Sequence, residues 1–389
     1  MPCATLRDPV NRHNLKPNQE EMNNTTPSPF SRRDFLSALA AAMLGLGAAS
    51  VASGTEPAAK PGGRTRRVGA AGISFRYTMK SWKEDAAFQF LEASHRAGAE
   101  VVMLYPAMVD KLDAGQLKKL RARAEELDVL LEVHGSDPFR AGYETTLRQA
   151  AALGMKTVGC YCGMLVRPDK ASTLEAWDEY VAKAEARLRE LEPLARQSGI
   201  TIGIENHLDF TIEELHNLVK KFDSPNIGVL FDVGNCVATL DDPIQAAELL
   251  GPYVVATHYK DFAIEEITRG FLFTMVPLGC GSLRLEEITR ALQKRVQPEA
   301  GYSIEMMCGQ QFEVKWLEDR FWVPYRTKSA RDVAATLRHI RGKAIDIAEM
   351  KPEKELDLLP HEEHVKLEFD RVQRCIAYLK NLLEKTKPA

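Results

Sequence analysis

From Arg64 onward the chain alternates short apolar runs with longer amphipathic stretches, and this alternation constrains the fold more than any other feature of the sequence. Repeated βα units of that kind build a parallel sheet. Eight such runs begin near Val68, Val101, Val129, Thr157, Thr201, Ile227, Val254 and Gly301. Between them, residues 84–97, 116–127, 175–198, 212–222, 243–250 and 285–294 carry apolar residues at three- and four-residue spacing, as outer helices do. Ala97-Gly98, Leu153-Gly154, Ser198-Gly199 and Ser224-Pro225-Asn226 punctuate helix ends before the next strand. No glycine-rich dinucleotide fingerprint follows the first strand, since Gly69-Ala70-Ala71-Gly72 lies inside it. The pattern therefore predicts an α/β fold, a single closed (β/α)8 TIM barrel over 64–350, rather than an open doubly wound sheet. Two further helices, 329–350 and 361–385, follow the eighth strand, one closing the barrel and the other belonging to a C-terminal helical extension over 351–389. The segment 310–328, rich in aromatics, either roofs the site or is a surface loop packing its rings against the last helix.

Composition narrows the partners. The chain has 389 residues and a formal net charge of −3, which provides no basic footprint for a nucleic-acid backbone. Before the barrel, Ser31-Arg32-Arg33-Asp34-Phe35-Leu36 leads into an alanine- and glycine-rich apolar stretch and then Ser50-Val51-Ala52. This resembles a twin-arginine export signal over 1–52, with 53–63 as linker, and implies a periplasmic mature protein. The apolar stretch is too short and too interrupted by glycine for a membrane span, so none is expected after cleavage. Cys160 and Cys162 lie two apart with no second pair nearby, which fits buried thiols better than a zinc site.

Four of the strand-like runs end on an acid or an imidazole: Glu205, Asp232, His258 and Glu305. In a closed parallel barrel these ends converge, and three carboxylates with one imidazole suit one divalent cation, Mg²⁺, Mn²⁺, Co²⁺ or Zn²⁺. Such an ion stabilises the enediolate formed when a proton leaves the carbon beside a sugar carbonyl. Glu205 and Glu305, from the fifth and eighth strands, are placed to remove and return that proton. Strand alternation puts His207 beside Glu205 and Lys260 beside His258 on the inward face, with His134 and Glu132 sharing a face on the third strand. His134, His207 and Lys260 are candidate substrate contacts; the alternatives are histidines satisfied by local carbonyls and a Lys260–Asp261 pair. Arg269, in the loop after the seventh strand, is a further candidate. Phe75, Trp82, Tyr105 and Tyr161 could wall a sugar face or pack the core.

The runs Ile204-Glu205-Asn206-His207, Phe231-Asp232-Val233-Gly234-Asn235, Thr257-His258-Tyr259-Lys260-Asp261, Pro277-Leu278-Gly279-Cys280-Gly281 and Ser303-Ile304-Glu305 together resemble the xylose isomerase-like TIM barrel superfamily. The resemblance covers the chain from about Arg64 to the helix after Glu305. It implies Glu205, Asp232, His258 and Glu305 as metal ligands, with the two glutamates doubling as acid and base. Many relatives carry a histidine where this chain has Ala256 and an acid where it has Cys280, and the epimerases carry a histidine where it has Asn235, a third substrate-shell position. The histidine set and DNA-binding surface of endonuclease IV are missing. The expectation is thus a metal-dependent isomerase or epimerase of a sugar, sugar acid or cyclitol, with a small-molecule carbohydrate as partner and room for a homo-oligomer. The alternatives are a lyase or dehydratase acting on keto-sugars or keto-glycosides by β-elimination, and a non-catalytic carbohydrate-binding barrel.

Overall fold

The computed structural model describes residues 66–82, 85–162, 166–297, 299–341, 353–356 and 358–388. The expected export signal and linker lie outside them. Eight parallel strands close a barrel: β1 (Val68–Ala71), β2 (Val101–Leu104), β3 (Leu130–Ser136), β4 (Thr157–Cys160), β5 (Thr201–Glu205), β6 (Ile227–Asp232), β7 (Val254–Tyr259) and β10 (Gly301–Ile304), which returns to β1. Their starts agree with the sequence pattern, the third moving by one residue. Strands sandwiched between a filled interior and an outer helical layer are buried on both faces, which is why they read as continuous apolar runs; β1, β2, β4, β6 and β10 are buried throughout.

The helices begin where local chemistry dictates. Asp113 with Gln116, Thr211 with Glu214 and Ser329 with Asp332 form reciprocal capping boxes at the starts of Ala114–Glu126, Ile212–Phe222 and Ala330–Ile340. The long helix Leu174–Ser198 stops at Gly199, whose φ of 64° closes its last turn. Below the strand ends, Ala71, Met103, Leu230 and Ala256 form a small buried apolar floor inside the barrel.

The connection after β7 is structured. Asp261–Ile267 (β8) and Gly270–Val276 (β9) form an antiparallel hairpin, and Gln311–Val314 (β11) adds to β9, giving a sheet ordered β11-β9-β8. The apolar and polar residues of Phe262-Ala263-Ile264-Glu265 and the Arg269-Gly270 turn carry that signal, but next to an expected barrel strand they read as loop. Part of the aromatic segment 310–328 thus belongs to a sheet: Phe312 stacks on Phe273 with ring centroids 4.8 Å apart. Further along, Phe321 stacks on Tyr325 at 5.1 Å and meets Trp322 edge-on, so these rings pack on one another.

The helix His361–Lys385, expected as an extension, lies on β1 and β10 and covers the seam where the barrel closes. It buries Val372, Cys375, Ile376, Leu379, Leu382 and Leu383 there. Ala330–Ile340 sits instead against Arg284, whose side chain donates to the His339 carbonyl at 3.1 Å. Among the described residues no helix is long and apolar enough to cross a membrane.

Candidate active site

Glu205 and Asp232 are the last residues of β5 and β6, His258 lies one residue from the end of β7, and Glu305 follows β10. Main-chain contacts fix these ends. The Asn206 side chain donates to the Asp232 carbonyl at 2.8 Å and accepts the Asp232 N–H at 2.7 Å, locking β5 to β6. Asp232 Oδ1 accepts the N–H groups of Gly234 (2.9 Å) and Asn235 (3.2 Å), which explains the residue pattern after that aspartate. Glu305 donates its N–H to the Tyr259 carbonyl at 2.9 Å. Ser74 straddles the same stretch, its hydroxyl donating to Ile304 and accepting from Met306.

Three of the four expected ligands gather with a fourth residue that the sequence assigned to substrate. His134, Glu205, His258 and Glu305 each offer a ligand atom within 4.8 Å of the others. His134 Nε2 lies 3.0 Å from Glu205 Oε2, and His258 Nδ1 lies 3.2 Å from Glu205 Oε1 and 3.5 Å from Glu305 Oε2. Asp232 stands a step back, its Oδ2 at 3.9 Å from His258 Nδ1. His134 reaches across β4 because Gly159 makes room: a Cβ there would sit 2.5 Å from His134 Nδ1. The other His258 nitrogen rests on Met103 Sδ at 3.0 Å, so Nδ1 is the one facing the carboxylates. Where relatives in the resemblance carry a second histidine, Ala256 belongs to the apolar floor.

Lys260 enters the same cluster. Its ammonium lies 2.5 Å from Asp232 Oδ2, is also paired with Glu305 Oε2, and donates to Asn235 Oδ1 at 3.3 Å. The Lys260–Asp261 alternative does not form. Asp261 accepts the N–H groups of Gly279, Gly281 and Leu283 instead, holding the loop after β9.

Charge in this buried setting is unevenly shared. Burial raises the Glu205 carboxyl, but His134, His207 and His258 together outweigh it and hold the group well below the usual range. For Glu305 burial is likewise overcome, by Lys260 and His258, leaving it at about 2. Asp232 goes the other way, to about 7, because burial and the two glutamates exceed the pull of Lys260. Burial lowers the His258 imidazolium, yet Glu305, Glu205 and Asp232 raise it to about 9. The donor set fits a divalent cation on a structural test. Glu205 Oε2 lies close to His134 Nε2, and Asp232 Oδ2 and Glu305 Oε2 lie close to the Lys260 ammonium, but among the described residues none of these buried oxygens has a well-directed hydrogen bond. Carboxylate oxygens converging without directed donors suit a point charge, and oxygen with imidazole nitrogen suits the hard-to-borderline ions named above.

Above the cluster opens a cavity of about 400 Å³. It contacts Glu205, Glu305, His134, His207, Asn235 and Lys260. Arg269 is not brought there: at the β8–β9 turn it is half exposed and paired with Glu313 at 2.6 Å, because the hairpin carries it outward. Of the aromatic candidates, Tyr105 and Tyr161 line the cavity, whereas Phe75 packs edge-on against Phe90 in the core and Trp82 packs on the same ring. The sequence reading missed the part of the wall built by Phe262 and Met275, since it depends on the antiparallel sheet, and by Met307; Phe312, from the segment expected to roof the site, completes it. It also missed Arg167, buried between the rings of Trp177 and Tyr325 at 4.0 and 4.3 Å. That guanidinium makes a forked pair with Glu214 and donates to the Pro324 carbonyl, pinning the end of the aromatic segment to the loop whose Val166 lines the cavity.

Comparison with known proteins agrees with the fold. The family model described as Xylose isomerase-like TIM barrel matches residues 91–338. The chain is 31% identical over 212 residues to a 3-oxo-isoapionate decarboxylase of Pectobacterium atrosepticum, covering 54% of this chain and 72% of that relative. Among solved structures, D-psicose 3-epimerase of Clostridium cellulolyticum H10 superposes with a TM-score of 0.54 at 16% identity, over 82% of this chain and 99% of that one. The IOLI protein, solved with a zinc atom, superposes with a TM-score of 0.52 at 14% identity, over 83% of this chain and all of that one (100%).

Proposed function

Since this chain belongs to the xylose isomerase-like TIM barrel family, we propose that it is a divalent-cation-dependent isomerase or epimerase that moves a proton at the carbon beside a carbonyl group of a carbohydrate. The observation that carries the reading is the meeting of Glu205 and Glu305, from β5 and β10, with His134 and His258 at the floor of a cavity. Bound among these residues and Asp232, a divalent cation would supply Lewis-acid stabilisation of the negative charge on the carbonyl oxygen as the neighbouring carbon loses its proton. The protein's own residues do the rest. Glu205, kept ionised by three imidazoles, can take the proton on one side of the substrate; Glu305 can return one on the other. His207, tilted against Tyr161 at 5.5 Å, and Asn235 offer polar contacts to hydroxyl groups.

The lining also bears on substrate class. Among the described lining residues the only lysine or arginine is Lys260, and two carboxylates engage it. An unphosphorylated carbohydrate suits such a cavity, with its apolar face against the Phe262–Phe312 wall. A second reading ends in bond breaking, by β-elimination or by loss of carbon dioxide from a 3-oxo acid. It is favoured by the relative named as a decarboxylase. Both routes leave the same charge on the same oxygen.

The test is incubation of purified protein with Mn²⁺ and a panel of keto-sugars, sugar acids and cyclitols in deuterium oxide. Incorporated deuterium without loss of mass supports isomerisation or epimerisation, and loss of water or of carbon dioxide supports the second reading. Glu305→Gln should still bind Mn²⁺ but stop the exchange; undiminished exchange would remove Glu305 from the mechanism. The proposal includes export through the twin-arginine signal to the periplasm, which cell fractionation of wild type and an Arg32→Lys, Arg33→Lys variant would check.

A further inference from the structure

We infer that Lys260 is an internal counter-cation of the centre, which gives up Asp232 and Glu305 when a divalent ion binds and swings its ammonium into the substrate cavity. The inference rests on the reading above that a divalent ion binds at these carboxylates.

Its basis is the position of one atom. Lys260 is only 4% exposed, and its Nζ meets Asp232 Oδ2 and Glu305 Oε2 at once. Both oxygens belong to the residues that converge on the proposed ion. Asp232 stands outside the four-residue cluster because Oδ1 is held by two main-chain N–H groups while Oδ2 is turned to the ammonium. An ammonium and a divalent ion repel strongly when both sit at contact distance from the same oxygens in a low-dielectric pocket. One must leave. Three carboxylates buried together without a cation are themselves unfavourable, so the lysine stabilises the unloaded centre.

The geometry also provides the exit. The Lys260 stem packs against Gly234, where a Cβ would lie 2.8 Å from Lys260 Cγ, and the residue lines the cavity. A four-carbon stem held near its base leaves the charged head, which already donates to Asn235 Oδ1 at 3.3 Å, free to rotate further toward His207. There the ammonium would meet an oxygen of the substrate, a carbonyl or a carboxylate, only after the ion has bound. Ion binding and substrate binding would then be coupled through this one side chain.

The test uses Mn²⁺ alone, titrated into the full-length protein by calorimetry and by the loss of the free-ion electron paramagnetic resonance signal. Lys260→Met keeps the stem and removes the competing charge, and should bind Mn²⁺ about tenfold tighter than wild type, within the usual range for coupled ligands. Lys260→Gln serves as a second neutral variant, and Lys260→Arg, which keeps a competing charge, should stay near wild type. A larger rise in melting temperature on adding Mn²⁺ for the neutral variants than for wild type is the matching stability readout. Equal or weaker Mn²⁺ binding by folded Lys260→Met and Lys260→Gln, with wild type binding normally, would overturn the exchange while leaving the cation site intact. No Mn²⁺ binding by wild type or by either neutral variant would overturn both readings.

Discussion

Glu132→Gln should flatten the pH dependence of stability, and the size of the effect follows from where the structure puts this carboxyl. Glu132 points into the barrel interior from β3, is 3% exposed, and its Oε2 has no hydrogen-bond partner among the described residues. Gly301 leaves space for it, since a Cβ there would lie 2.6 Å from Glu132 Oε1. Burial raises its carboxyl from an ordinary 4.5 to about 7, with His258 opposing only in part. The native state therefore holds a proton that the unfolded chain has released between those two values. Stability from this group is present below about pH 4.5 and is lost as pH rises through about 7. At about 1.4 kcal/mol for each tenfold change in proton affinity, the full loss is about 3 kcal/mol, most of it between about pH 5 and pH 8. The replacement amide also lacks a buried partner, at about 1–3 kcal/mol, but that term does not vary with pH. The measurement is urea unfolding of metal-stripped wild type and Glu132→Gln at both pH values. The variant's stability relative to wild type should improve by about 2–3 kcal/mol on going to the higher pH. A change under about 0.5 kcal/mol would refute the reasoning, because it would mean that Glu132 keeps an ordinary proton affinity in the folded protein.

Other substitutions probe the remaining links. His134→Ala should weaken Mn²⁺ binding by about 10- to 100-fold if His134 holds or ligates the centre as its 3.0 Å contact with Glu205 indicates, and calorimetry would show it. Gly159→Ala forces a methyl group to 2.5 Å from that imidazole and should lower stability by about 1–3 kcal/mol while displacing His134, so thermal melting and Mn²⁺ affinity should fall together. Arg167→Met breaks a buried forked pair with Glu214 and the tie to Pro324, costing about 3–5 kcal/mol by chemical unfolding and raising KM more than it lowers kcat. Leu379→Ala, at a fully buried position of the helix over the barrel seam, should cost about 2–5 kcal/mol; a loss near zero would show that this helix is not part of the folded core.

Much of this protein is legible along the chain. Period-two and period-3.6 patterns are local, so the eight barrel strands and the capped helices could be placed from residue order alone. Strand ends in a closed parallel barrel must converge, so residue order alone groups Glu205, His258 and Glu305. What stayed hidden is what depends on contacts between distant segments. His134 joins the cluster only because β3 lies across the narrow Gly159 from Glu205, and Asp232 stands back only because Lys260 reaches it from the next strand. The hairpin after β7 takes Arg269 away from the cavity and supplies Phe262 and Met275 to its wall; its local signal reads as loop beside a barrel strand, and its pairing with Gln311–Val314 is a distant contact that no local periodicity encodes. Residue order thus determined the barrel and the ends of its strands, because backbone sterics and apolar periodicity act over a few neighbours. The three-dimensional packing alone decided which side chains share each oxygen, because charge and volume are settled between residues far apart in sequence.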